Sequence, residues 1–252
     1  MTQNSAQKFK ITVEYDGRPF VGWQRQKEHL SVQQVIEDAI VKFSGETATL
    51  YGSGRTDAGV HGSGQVAHFS IHKPMTADAV MGALNYHMKP HPVAVLKAEV
   101  ADPDFHARFD AKQRHYTYKI MNRRARLTVQ KGLMWLVPQP LDIDAMQQGA
   151  DHLIGKHDFT TFRHIHCQSE SPIKTLDYIK VERITGTDEV HIHAGARSFL
   201  HHQIRSITGT LSLVGQGQWS PDRVKQALEA KDRAALGLNA PPDGLYFRQI
   251  DY

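Results

Sequence analysis

Five glycines fall within the thirteen positions from Gly52 to Gly64, around a guanidinium and a carboxylate two residues apart, Arg55 and Asp57. Glycine collects where backbone takes positive φ or comes close to another group, so the stretch from Gly52 to Gln65 reads as a shaped loop. A strand ending near Leu50-Tyr51 precedes it, and the alternating Val66-Ala67-His68-Phe69-Ser70-Ile71 follows it. Charges presented from a sheet by a loop are well placed for chemistry, and a carboxylate there can serve as a nucleophile or an electrostatic catalyst. Spacing and composition alone leave a second reading open: a surface turn in which Asp57 accepts from backbone N–H groups and Arg55 is solvated. The loop is not a phosphate cradle of the common kinds. It lacks the G-x-x-x-x-G-K-[ST] pattern, and Gly52-x-Gly54 has no third glycine at dinucleotide-binding spacing.

A second feature is charge. Residues 1–103 hold 10 basic and 10 acidic side chains, whereas residues 104–252 hold 20 basic against 16 acidic, so the net +4 of the chain lies in the second part. From His106 to Lys131 there are eight cations (Arg108, Lys112, Arg114, Lys119, Arg123, Arg124, Arg126 and Lys131) against Asp110 alone, interleaved with Phe109, Tyr116 and Tyr118. Cations with interspersed aromatics suit a phosphate backbone and unpaired bases, which makes RNA the favoured partner over a merely solvated face.

Composition bounds the rest. An apolar share of 40% with 8% aromatics describes an ordinary globular chain of 252 residues, long enough for one large or two small domains. No apolar run of about 18 residues is present, which argues against a membrane helix. The polar start, Met1 to Lys8, has no apolar stretch of a secretory signal. The single cysteine, Cys167, cannot form an intramolecular disulfide and fits a reducing cytoplasm.

The elements that must position these residues are legible from periodicity. Phe9 to Tyr15 alternates and stops at Asp16-Gly17. Ser31 and Gln34 form a capping box, with Val32, Val35, Ile36, Ala39, Ile40 and Phe43 at helical spacing up to Ser44-Gly45. A helix over Thr76 to about Met88 and a strand over Val93–Val100 complete the order strand, helix, strand, strand, helix, strand. The second part repeats the plan. His115–Ile120 alternates, Asp142 or Asp144 caps a helix running towards Ile154-Gly155, and strands follow near Thr175–Arg183 and Val190–Ala194. A long helix runs from about Ser198 to Val214, and Ser220-Pro221 opens another that ends near Ala230. Two related α+β halves, 1–103 and 104–252 with a boundary near Asp102-Pro103, and a cleft between them are the economical architecture.

The string Gly54-Arg55-Thr56-Asp57-Ala58-Gly59-Val60-His61 resembles the catalytic motif of the tRNA pseudouridine synthase A family. Further matches run from Tyr15-Asp16-Gly17 and Trp23-Gln24-Arg25-Gln26 to Arg114-x-Tyr116-x-Tyr118. They continue with Phe199-Leu200-x-His202-x-x-Arg205 and Pro241-Pro242-Asp243-Gly244-Leu245, so nearly the whole chain is covered. The Gln218-Trp219 pair and the run His164-Ile165-His166-Cys167 belong to no family signature. The resemblance implies two ferredoxin-like or RNA-recognition-motif-like halves sharing an extended, mostly antiparallel sheet, with helices on one face and a central catalytic cleft. It implies isomerisation of uridine to pseudouridine at positions 38, 39 and 40 of the tRNA anticodon stem-loop, without cofactor or metal, by a homodimer.

By the same resemblance Asp57 is the catalytic carboxylate, acting as nucleophile or by stabilising oxocarbenium-like charge. Arg205 is the cation that keeps it ionised, Arg55 contacts RNA, Tyr116 packs on the uracil and is a candidate to take the C5 proton, and Leu245 walls the base. Arg114, with the strip Arg123, Arg124 and Arg126, is assigned to substrate binding. Three rivals stand beside this reading. Sixteen histidines, including His164-x-His166-Cys167, His191-x-His193 and His201-His202, invite a metal, although H-x-H on a strand is not a usual ligand spacing. A silent RNA-binding module would lack Asp57 or Arg205, and a phosphate-loop hydrolase would need the missing Lys-Ser/Thr.

Overall fold

A computed structural model describes residues 6–252; the polar start over residues 1–5 lies outside them. Among the described residues the chain forms ten strands and five α-helices in two compact units, Met1–Lys112 with Phe247–Tyr252, and Gln113–Tyr246.

The first unit follows the order expected from periodicity: β1 (Gln7–Tyr15), α1 (Val32–Ser44), β2 (Tyr51–Gly52), β3 (His61–Ile71), α2 (Ala77–His87) and β4 (Val93–Val100). β1 lies between β3 and β4, antiparallel to both, with Phe9 opposite Phe69 and Val100. Its alternation sends Phe9, Ile11 and Val13 inward, where they are fully buried with Val32, Ile36 and Ile40 of α1 and Val80 and Leu84 of α2. Helix α1 starts where Ser31 accepts from the Gln34 N–H at 3.2 Å and stops at Gly45, whose φ is 79°. Thr76 caps α2 in the same way, accepting from the Ala79 N–H. A last strand, β10 (Leu245–Asp251), brings the chain's end into this unit beside β3. There a Cβ on Gly64 would sit 2.1 Å from the Arg248 carbonyl oxygen, so only glycine admits that approach.

In the second unit, β5 (Gln113–Met121) pairs antiparallel with β9 (Glu189–Ala196), which pairs with β8 (Ile173–Arg183), which pairs with β7 (Gly155–Asp158). The short β6 (Trp135–Leu136) runs parallel to the end of β5. Three helices complete the unit: α3 (Ile143–Asp151), capped by Asp142, α4 (Gln203–Gly215), and α5 (Pro221–Ala230), which has proline in its first turn. The α+β class and the mostly antiparallel sheets thus agree with expectation.

Helix boundaries differ in two places. α3 ends at Asp151, short of Ile154-Gly155. α4 starts at Gln203 and not near Ser198, because His202 takes a left-handed conformation (φ 64°) and the Leu200 N–H donates to the Gln203 side chain at 2.8 Å.

Burial in the first unit has a consequence for acid stability. His68 is almost wholly buried and accepts from the Ala107 N–H through Nδ1 at 3.1 Å. Burial, reinforced by His106 and Lys8, lowers its pKa from 6.5 to about 4. On acidification the unfolded chain therefore takes up this proton first. The contribution of His68 is complete above about pH 6.5 and is lost as the pH falls towards 4. Denaturant unfolding at pH 7 and pH 5 should show a smaller acid loss for His68→Gln than for the wild type. Equal losses in both proteins would mean that His68 is not the group responsible.

Candidate active site

The Asp57 loop is held from three sides within the first unit. Gly22 and Asp57 form an isolated antiparallel bridge, and the Trp23 N–H donates to the Thr56 carbonyl at 3.1 Å. Gly22 has φ 111°, and a Cβ on it would lie 2.3 Å from the Thr56 oxygen, so this bridge requires glycine. The Thr56 hydroxyl shares a 2.9 Å hydrogen bond with the buried Tyr15 hydroxyl. At the other end Ser53 Oγ donates to Gln65 Oε1 at 2.6 Å, and Gln65 Nε2 donates to the Gly54 carbonyl at 2.7 Å. Backbone polar groups of the loop are therefore satisfied by neighbours, which fixes the loop's shape. Asp57 is half-buried and Arg55 is exposed.

The Trp23-Gln24-Arg25 segment behind the loop is anchored in turn. Arg25 pairs with Glu37 at 2.7 Å and Asp38 at 3.2 Å on α1, and Glu37 also accepts from the Leu50 N–H at 3.1 Å. Leu50 leads directly into β2 and the glycine loop, so one carboxylate on α1 ties both flanks.

The second unit gathers the other candidates around β5 and α4. Arg205, half-buried, donates through Nε to the Ala240 carbonyl at 2.8 Å, while Nη1 lies 3.0 Å from His202 Nε2. The Ala240 N–H returns a 3.0 Å bond to the Arg205 carbonyl. The neighbouring Pro241 carbonyl accepts from the Tyr118 hydroxyl at 2.7 Å. This arrangement docks the segment leading to Leu245, itself buried, onto the strand that carries Tyr116. The Tyr116 ring is 9% exposed and meets Phe199 edge-on at 5.1 Å. Tyr118 is wholly buried, and burial pushes its hydroxyl well above the usual range. Of the two same-face tyrosines, Tyr118 belongs to the core. Arg114, also buried, donates to the Arg197 carbonyl, which tethers the segment before α4.

His202 figured in the sequence as a motif letter and as one of a histidine pair that could hold a metal; the structure turns its ring onto Arg205. Burial lowers its pKa to about 3, with the nearby cation Arg205 next in effect, so the ring is neutral and its Nε2 accepts from the guanidinium. The rings of His164, His201 and His202 cluster, with centroids 4.3–4.7 Å apart. His191 and His193 face carboxylates, Glu189 at 2.9 Å and Glu182 at 3.1 Å, on the polar side of β9 opposite buried Val190 and Ile192. That is the amphipathic strand pattern expected from their spacing. Arg124 and Arg126 are exposed in the turn after β5, and Arg123 is half-buried there.

The first unit thus holds a shaped carboxylate loop, and the second holds a clamped arginine and a buried strand tyrosine. A family model described as tRNA pseudouridine synthase matches residues 11–110 and 150–252, and the chain belongs to that family. Curated relatives named tRNA pseudouridine synthase A include one from Parvibaculum lavamentivorans, 54% identical over 97% of this chain and 99% of its own. Another, from Zymomonas mobilis, is 53% identical over the same shares. Among solved structures, an H/ACA RNP bound to a substrate RNA containing 2'-deoxyuridine overlaps 81% of this chain and 44% of that chain at 16% identity and a TM-score of 0.34. A Cbf5-Nop10-Gar1 complex overlaps 94% and 57% at 13% identity and a TM-score of 0.35. Overlaps this loose carry no weight beside the family match.

Proposed function

We propose that this protein isomerises uridine to pseudouridine at positions 38, 39 and 40 of the tRNA anticodon stem-loop, with Asp57 as nucleophile or electrostatic catalyst. The reaction breaks the bond from N1 of uracil to C1′ of the ribose, turns the base and joins C5 to C1′, releasing the C5 proton. No redox partner or group donor is required. A carboxylate is needed where the sugar or base is trapped, and it must stay ionised, which desolvation opposes and a cation favours. In this reading Arg205 supplies that cation, Tyr116 stacks on the uracil and receives the C5 proton, Leu245 closes the cage, and Arg55 and Arg114 hold the RNA. The observation that carries the reading is the Asp57 loop, whose backbone is fixed by Gly22, Trp23 and Gln65 while its carboxylate remains only half-buried. Such a loop fixes the position of its acid before substrate arrives.

The test uses unmodified tRNA transcripts carrying a single uridine at position 38, 39 or 40, with pseudouridine mapped by position. Product at these positions, and none in transcripts with cytidine there, is the expected result. Product confined to other parts of the tRNA would overturn the positional assignment.

The strip Arg123, Arg124 and Arg126 is proposed to meet phosphates. The triple alanine variant should bind tRNA more weakly, and its slope of log K against log salt should flatten by about one unit for each phosphate no longer neutralised. An unchanged slope would place the strip away from the RNA.

A further inference from the structure

We propose that the turn from Phe105 to Phe109, together with Tyr51, is a stacking platform for an unpaired RNA base, distinct from the residues assigned to the reaction. The proposal rests on the reading that this chain binds RNA. Tyr51 of β2 stands opposite His68 of β3, and the two rings stack at 5.1 Å and 15°. His106 lies 4.8 Å from His68, and Phe109 lies 4.3 Å beyond His106 at 34°. His106 meets His68 edge-on at 68° and also lies 5.6 Å from Tyr51, so the four rings form one cluster. Its inner member, His68, is buried, while the outer ones are open: Tyr51 is 48% exposed and Phe109 69%.

A phenylalanine left this open adds little to the fold, and a contiguous exposed aromatic patch marks a binding surface. The neighbouring charge says for what. The Arg108 guanidinium sits 5.7 Å from the Phe109 ring centre, and Lys112 follows three residues on, exposed. Aromatic faces beside cations suit a base stacked on a ring with its phosphate close by.

The platform is also stiff. The N–H groups of Arg108 and Phe109 donate to His106 Nδ1 at 3.1 and 3.4 Å. The His106 N–H donates to Asp110 Oδ2 at 2.8 Å, and the Asp110 N–H donates back to the His106 carbonyl at 3.1 Å. Lys8 ties the same turn down through the Phe105 carbonyl at 2.9 Å. A ring held by such bonds loses little conformational freedom on binding. Tyr51 is six residues before Asp57, at most about 20 Å of extended chain, so a base stacked here would belong to a nucleotide in the neighbourhood of the reacting uridine.

The experiment measures the affinity of Phe109→Ala and Phe109→Trp for an unmodified tRNA transcript at several salt concentrations, beside a fully paired RNA duplex of similar length. Phe109→Ala should bind the transcript about 10-fold more weakly with an unchanged salt slope and should bind the duplex as the wild type does, because stacking is neutral and needs an unpaired base. Phe109→Trp should bind at least as tightly as wild type. Wild-type affinity in Phe109→Ala, or a flattened salt slope, would overturn the platform. So would a change in oligomeric state by sedimentation with RNA affinity intact, which would assign this face to a second copy of the chain. Pseudouridine formation by the wild type on the same transcript is scored separately, so failure of the platform and failure of the proposed reaction are read independently.

Discussion

Asp57→Asn is expected to abolish pseudouridine formation while leaving tRNA affinity within a few-fold of wild type. The substitution removes a charge and almost no volume. The loop around it is held by backbone and side-chain bonds that do not involve the Asp57 carboxylate: Trp23 N–H to Thr56, Tyr15 to Thr56, and Ser53 and Gln65 to one another and to Gly54. Those bonds stay in place in the variant, so the loop's backbone should be kept. What is lost is the group that attacks or stabilises charge in the transition state, and a fall of at least about 1,000-fold, or about 4 kcal/mol in barrier, should follow. Single-turnover rates with saturating transcript check this. Turnover above roughly one per cent of wild type would remove Asp57 from the chemistry.

The second large effect is expected from Arg205→Met. Methionine keeps an unbranched apolar stem but removes the guanidinium held by Ala240 and His202. With the cation gone, the reacting carboxylate loses its proposed counter-charge, so turnover should drop by about 100-fold at pH 7. His202 adds no charge change of its own: its pKa of about 3 is set first by burial, which the substitution leaves in place, so its ring stays neutral at that pH. A loss of only a few-fold at pH 7 would make Arg205 a structural residue of α4.

Much of this molecule was legible because it is written locally. Ser31 and Thr76 cap their helices through hydrogen bonds spanning three residues, Gly45 ends α1, and β1 shows its buried face by simple alternation. The glycine density around Asp57 marked the loop for the same reason. The remainder depends on partners far apart in the chain. Nothing in the periodicity of residues 245–251 announces that β10 lies beside β3. The bridge from Gly22 to Asp57, the bond from Tyr15 to Thr56, and the grip of Arg25 on Glu37 each join segments with no common repeat. At α4 the apolar stripe runs on through Leu200, but the left-handed backbone of His202 ends the helix before it, and that conformation has no signature in the residue type. The sequence singles out His202, but its bond to Arg205 shows only in the structure.

The most direct test of this mechanism follows the one proton that the reaction must release. A transcript carrying tritium at C5 of a single uridine, at position 39, is incubated with excess purified protein and EDTA. High monovalent salt keeps the RNA folded, and no nucleotide is added. Wild-type protein should release one tritium per transcript, with matching pseudouridine at that position, and Asp57→Asn should release none within the same time. No release from the wild type with EDTA, restored by stoichiometric zinc but not by magnesium, would contradict the mechanism and return the chemistry to the histidines.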